Sequence, residues 1–163
     1  MITRTIQKEI ESCFFKGKAV ILLGARQVGK TTLVREIARS YKGPSLYLNC
    51  DETDIVQQLT ATTTTQLAAL IGRNKLIIID EAQRVKNIGL TLKLLVDAFP
   101  ELQILATGSS SLDLADEVVE PLTGRKYEFH LYPLSLSELG QEFSTLEINR
   151  LLERLIVYGT YPE

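Results

Sequence analysis

Histidine occurs once in this sequence, methionine once and tryptophan not at all. With His130 as the sole histidine, neither a histidine-based catalytic triad nor a histidine-rich metal site can be assembled. The two cysteines, Cys13 and Cys50, are far apart and stand in no metal-ligand spacing. Two thiols make no disulfide framework, and both read as small buried hydrophobes of a reducing compartment, so a cytoplasmic location is expected. Long apolar runs are also missing. The longest, Ala19–Leu23 and Leu76–Ile79, fall far short of the ~20 residues that cross a bilayer. The polar, amphipathic start MITRTIQKEIES has no signal-peptide character, so no membrane association is expected. Nor is there an excess of basic charge. A formal net charge of −2 gives no support to a nucleic-acid partner, for which Lys16, Lys18, Arg125 and Lys126 are the candidate local patch.

What is present is a composition of 45 % hydrophobic and 23 % charged residues over 163 positions, the proportions of one globular domain spanning residues 1–163. Residues 2–15 read as an amphipathic helix, with Ile6, Ile10, Cys13 and Phe14 at helical spacing and Gly17 as its stop. Ala19–Leu23 and Leu76–Ile79 are continuous aliphatic runs, the pattern of strands buried on both faces. Ser45–Asn49, Gln103–Ala106 and Lys126–Leu131 supply three further strands. Helices are expected from Lys30 to Tyr41, within 51–74, along the face Ile88, Leu92, Leu95, Val96 and Phe99, and over Ile148, Leu151, Leu152, Leu155 and Ile156. Thr63-x-x-Gln66, Ser135-x-x-Glu138 and Ser144-x-x-Glu147 have the form of capping boxes. Strands alternating with helices, with the central strands apolar on both faces, predict a three-layer α/β/α fold around a parallel sheet.

Gly24-Ala25-Arg26-Gln27-Val28-Gly29-Lys30-Thr31 fits the phosphate-binding pattern G-x-x-x-x-G-K-[ST], and it lies between an aliphatic strand and a helical pattern, the setting that motif requires. Its two glycines let the chain wrap a phosphate with main-chain N–H groups turned inward. The helix starting near Lys30 and Thr31, and continuing through Thr32, adds its positive end. Lys30 is the point charge for the β- and γ-phosphates, and Thr31 offers a hydroxyl to Mg²⁺. Lys30 is expected in an exposed loop, so its loss should spare the fold.

The run Leu76–Ile79 ends in Asp80-Glu81, at the strand edge where ligands bind in open α/β sheets. Asp80 is the candidate Mg²⁺ carboxylate, acting mostly through the ion's water shell, and Glu81 the candidate base for the attacking water. An acidic pair of this kind points to the branch of P-loop proteins with a catalytic glutamate and an additional strand. In that branch the strand Gln103–Ala106 would lie between the other two, which makes Thr107 and Ser109 candidate phosphate sensors. No guanine-reading N-K-x-D or T-K-x-D is found, so the expected ligands are ATP and ADP with Mg²⁺. Arg125, in Gly124-Arg125-Lys126, completes the catalytic candidates with Glu81 and Lys30, as an arginine finger in cis or across a subunit interface.

The runs GARQVGKTT, LIIIDEAQ, ATGSSS, LTGRKYEFHLYPLSLSEL and the ending YGTYPE resemble prokaryotic AAA-type ATPases, in which an N-terminal ATPase domain precedes a C-terminal domain of unknown function. The resemblance runs from about residue 18 to 163. It implies a five-stranded parallel sheet of order 5-1-4-3-2, ATP binding through Gly29, Lys30 and Thr31, Mg²⁺ at Asp80 and catalysis by Glu81. It further implies that full activity needs a homo-oligomer or a partner domain to complete the site. This chain is therefore expected to be an isolated ATPase domain, with a nucleotide switch of low intrinsic turnover as the alternative.

Overall fold

The structure is a computed structural model that describes residues 2–109 and 121–162. Ser110, Ser111 and Glu163, part of the motifs quoted above, lie outside the described residues. Five strands, β1 (Ala19–Gly24), β2 (Ser45–Asn49), β3 (Leu76–Asp80), β4 (Gln103–Ser109) and β5 (Lys126–Leu131), form one sheet in the order β2-β3-β4-β1-β5. Every pairing is parallel. This is the expected order 5-1-4-3-2 read from the other side.

The aliphatic runs behave as doubly buried strands. All residues of β1 and β3 are buried, and their side chains alternate between two cores. Ile21, Leu23, Ile77 and Ile79 join one cluster with Leu59, Leu67, Ile88 and Leu92. Val20, Leu22, Leu76 and Ile78 join the other with Ile10, Leu33 and Ile37. The first cluster is closed by helices α3 (Thr53–Leu59), α4 (Thr64–Ile71) and α5 (Ile88–Ala98), the second by α1 (Ile6–Ser12) and α2 (Lys30–Ser40). Three layers result because neither face of the sheet carries enough polar surface to meet water.

The Thr63–Gln66 capping box forms in full at the start of α4. The boxes at Ser135 and Ser144 open α6 (Leu136–Leu139) and α7 (Thr145–Tyr158). One expectation is corrected by the structure. The first helix covers only Ile6–Ser12, because residues 2–4 are held in a non-helical segment and Phe15 adopts a left-handed φ of 58°. The apolar stripe of α7 is only half used: Ile148, Leu151 and Leu155 are partly buried, whereas Leu152 and Ile156 stay exposed. Among the described residues no helix is long and apolar enough to cross a membrane.

Candidate functional site

The loop between β1 and α2 is built by its glycines. A Cβ on Gly24 would stand 2.6 Å from the Leu131 carbonyl oxygen and 3.0 Å from Val28 Cγ2, so only glycine lets the end of β1 pass this close to the end of β5. Gln27 (φ 63°) and Gly29 (φ 94°) are both left-handed, and between them the chain curls into the concave turn that aims successive N–H groups at an anion. Gly29 caps α2 without any side-chain hydrogen bond. Ala25, Arg26 and Gln27 are exposed at the rim, and Thr31 and Thr32 lie on the first turn of α2.

Lys30 is only 5 % exposed, which corrects the expectation of an exposed loop lysine. Its Nζ donates to the carbonyls of Gly24 and Ala25, both at 2.9 Å. Burial pushes its pKa down, the carboxylates of Glu81 and Asp80 oppose that, and Arg26 adds to the lowering. The ammonium thus lies folded into the loop, beside the acidic pair.

Parallel pairing carries the acidic pair to the same edge. Asp80 ends β3 opposite Asn49, and Ser109 ends β4 opposite Gly24. Asp80 is 2 % exposed; its Oδ1 accepts from the Thr107 hydroxyl and its Oδ2 from the Tyr47 hydroxyl at 2.5 Å. Burial, and then the bond to Asp80, push the Tyr47 pKa up to about 12, so the phenol remains a donor. Glu81 leaves the strand with φ 55°, an uncommon backbone for a side-chain-bearing residue. Its N–H donates to Thr107 Oγ1 at 3.0 Å and its Oε2 accepts from Gln83 Nε2 at 2.5 Å. Thr107 therefore latches Asp80 to Glu81, with its hydroxyl engaged on both. Cys50, beside them, has its thiol pushed up to about 12 by burial and then by Asp80, Asp51 and Glu81, in keeping with an inert core residue.

Arg125 is not part of this cluster. Its carbonyl accepts from the Ala19 N–H at 2.9 Å, and Lys126 stands opposite Ala19, at the entry edge of the sheet. The intervening strand β1, six residues and hence about 20 Å long, separates it from the loop. Its Nε pairs instead with Asp97 at 2.7 Å. A finger role in cis is thereby overturned: β5 runs parallel to β1, so the residue that enters β5 faces away from the phosphate loop.

A second group was not foreseen from sequence. Arg4 Nη1 donates to the Val28 carbonyl at 2.8 Å, Nη2 to the Tyr132 carbonyl at 2.5 Å, and Nε pairs with Glu138 at 3.1 Å. Arg4 thereby ties the back of the loop to the segment after β5. Burial alone would raise the Glu138 carboxyl, but the N–H groups of Ser135 and Thr5 and the Arg4 charge outweigh it and hold the group at about 2. Glu138→Ala is expected to cost about 3 kcal/mol, since it leaves the half-buried Arg4 guanidinium without its counter-charge and the Thr5 and Ser135 N–H groups without their acceptor. Because the folded value lies below the unfolded one, near ~4.3, this stabilisation is present above that pH and is lost as pH falls toward about 2. Denaturant unfolding at pH 7 should show the full deficit of the variant, narrowing progressively below about pH 4.

Next to the loop a cleft of about 760 Å³ opens between Gln7, Thr32, Leu134, Leu155 and Tyr161, with Gly29 on its wall. Its size and mixed lining suit a nucleoside. Among the described residues no group of three or more His, Cys, Asp or Glu side chains is placed to hold a metal. A donor set of one carboxylate, Asp80, and one hydroxyl, Thr31, fits Mg²⁺, which keeps its waters and takes its remaining ligands from phosphate.

A parallel sheet in this order, with a glycine–lysine loop at the β1–α2 crossover and an acidic pair at the end of β3, defines a P-loop NTPase fold. A family model described as an AAA domain matches residues 16–140, and the chain belongs to that family. The family is one of nucleotide-binding, ATPase-like domains. An uncharacterised protein of Methanocaldococcus jannaschii is 27 % identical over 174 aligned residues, covering 98 % of this chain and 39 % of that protein. Uncharacterised proteins of Mycobacterium bovis and Mycobacterium tuberculosis are each 31 % identical over 138 residues, covering 84 % of this chain and 30 % of theirs. The chain thus spans well under half the length of these curated relatives.

Proposed function

We propose that this domain binds ATP with Mg²⁺, hydrolyses it to ADP and phosphate, and couples that cycle to a conformational change in a partner domain or subunit. One observation carries the reading. The Lys30 ammonium, the inward-curled loop and the acidic pair, in which Thr107 ties the Asp80 carboxylate to the Glu81 main-chain N–H, converge on one edge of the sheet, although Asp80 lies fifty residues beyond Lys30 in the chain.

On binding, Lys30 exchanges the Gly24 and Ala25 carbonyls for β- and γ-phosphate oxygens, while the N–H groups of 27–31 close around the β-phosphate. Thr31 and Asp80 would hold the cation, which would supply positive charge to offset the phosphate charge. Glu81 takes a proton from the water that attacks the γ-phosphorus as the bond to the ADP oxygen breaks. Thr107, bonded to both Asp80 and Glu81, and Ser109, opposite Gly24, are the two sensor candidates at this edge. The cleft at Gln7 and Tyr161 would take the base. Arg125, in this reading, serves a neighbouring copy in trans or has no catalytic part.

One observation favours the alternative, a nucleotide switch with little hydrolysis: the Glu81 carboxylate is held by Gln83 rather than directed freely into the site. Titration calorimetry with ATP, ADP and GTP, with and without Mg²⁺, tests the shared core of both readings. Adenine-nucleotide binding strengthened by Mg²⁺ is expected, and no affinity for ATP in the presence of the metal would refute it.

A further inference from the structure

We propose that Tyr47 is a positioning residue for Asp80, and that the paired hydroxyls of Tyr47 and Thr107 set this carboxylate to hold a divalent cation through the ion's coordinated water rather than by direct ligation. The proposal rests on the Mg·ATP reading above and goes beyond it.

A carboxylate offers about four lone-pair sites. Thr107 occupies one on Oδ1 and Tyr47 one on Oδ2, which leaves a single site on each oxygen. Rotation of the carboxylate about its own axis would break both bonds, so its plane is fixed before any cation arrives. Both donors also draw charge from the oxygens. A carboxylate so engaged is a poor direct ligand, while the site left on each oxygen still accepts from a coordinated water whose protons the cation has made acidic, and among the common divalent ions Mg²⁺ gives up its waters most reluctantly.

The placement of Tyr47 follows from the sheet. It pairs with Ile78, two residues short of the edge at which Asn49 faces Asp80. Two residues of strand rise about 6.6 Å, which the phenol spans to put its hydroxyl on the Asp80 carboxylate. The Arg35 guanidinium stands 5.1 Å from the ring centroid and clamps it from α2. The helix that carries Lys30 and Thr31 therefore also holds, one turn on, the residue that fixes Tyr47. The phosphate loop and the cation carboxylate are joined through Arg35, Tyr47 and Asp80.

The experiment measures ATP affinity by calorimetry as a function of Mg²⁺, Mn²⁺ and Ca²⁺ for wild type, Tyr47→Phe and Arg35→Gln. Tyr47→Phe keeps the ring and its packing. It is expected to raise the Mg²⁺ half-saturation about tenfold while affecting Ca²⁺ much less, so that the Mg²⁺ preference falls; affinity for metal-free ATP should be unchanged. Arg35→Gln should move the same ratio in the same direction by a smaller factor. A general loss of folding would change all three cations and metal-free binding alike, so an equal effect on every arm overturns the proposal. So does a Mg²⁺ to Ca²⁺ ratio within twofold of wild type in both variants. Wild type that binds ATP without metal dependence would sink the parent reading and this one together, whereas a metal-dependent wild type with indifferent variants would sink this one alone.

Discussion

Lys30→Ala is expected to remove detectable binding of ATP while leaving a folded domain. The reason differs from that of a surface lysine. Lys30 is buried, and its ammonium spends its hydrogen bonds on the neutral carbonyls of Gly24 and Ala25. Burying that charge opposes the gain from the two bonds. Alanine frees space in which water can reach the carbonyls, so the nucleotide-free domain should melt within a few degrees of wild type. Bound nucleotide is another matter. At a hundred times its Kd, a ligand that binds only the folded state stabilises it by about 2.7 kcal/mol, which in a chain of this size raises Tm by roughly 5–10 °C. Wild type should show that rise with Mg·ATP and the variant none. An equal rise in both would contradict a phosphate-binding role for Lys30.

Glu81→Gln is expected to separate binding from chemistry. The amide is isosteric, its oxygen can still accept from Gln83 Nε2, and the main-chain bond to Thr107 is untouched. ATP affinity should remain within about threefold. Loss of a general base commonly lowers turnover by about 10²–10⁴-fold, and phosphate release, measured alone and in whatever assembly stimulates it, should fall by that order. If wild type binds ATP yet releases no more phosphate than the variant in any assembly state, the hydrolytic reading gives way to the switch. The left-handed backbone at Glu81 fits an active role, since strained conformations of this kind persist where the surrounding structure over-determines them. Here the latch to Thr107 and the 3₁₀ turn Ala82–Arg84 supply that support.

Much of this site is legible in the chain because its chemistry is local. The glycines, Lys30 and Thr31 lie within eight consecutive residues, flanked by the strand and helix that give them their geometry. The aliphatic run ahead of Asp80 announces both a buried strand and the edge on which it ends. Three capping boxes were equally readable, since each needs only a hydroxyl and an acid or amide three residues apart. The order of the strands came from the family resemblance, not from periodicity.

Other features depend on pairings that no local pattern encodes. Arg4 meets Glu138 across a separation of 134 residues, and Thr107 meets Asp80 across 27. Glu138 was visible as a capping residue, but its second partner was not. Alternation marks Tyr47 as a strand residue without saying that its hydroxyl reaches Asp80, because that reach is fixed by the register of β2 on β3. The same holds for Arg125: beside a glycine and a lysine it looks like a phosphate contact, yet the direction of β5 puts it at the far edge of the sheet. The sequence alone determined the phosphate loop, the acidic pair and the layered core, because turn geometry, charge and side-chain period act over a few residues. Only the tertiary structure decided which side chains hold Asp80, what braces the loop from behind and which arginine is out of reach, because strand register and direction are settled by packing the whole sheet at once.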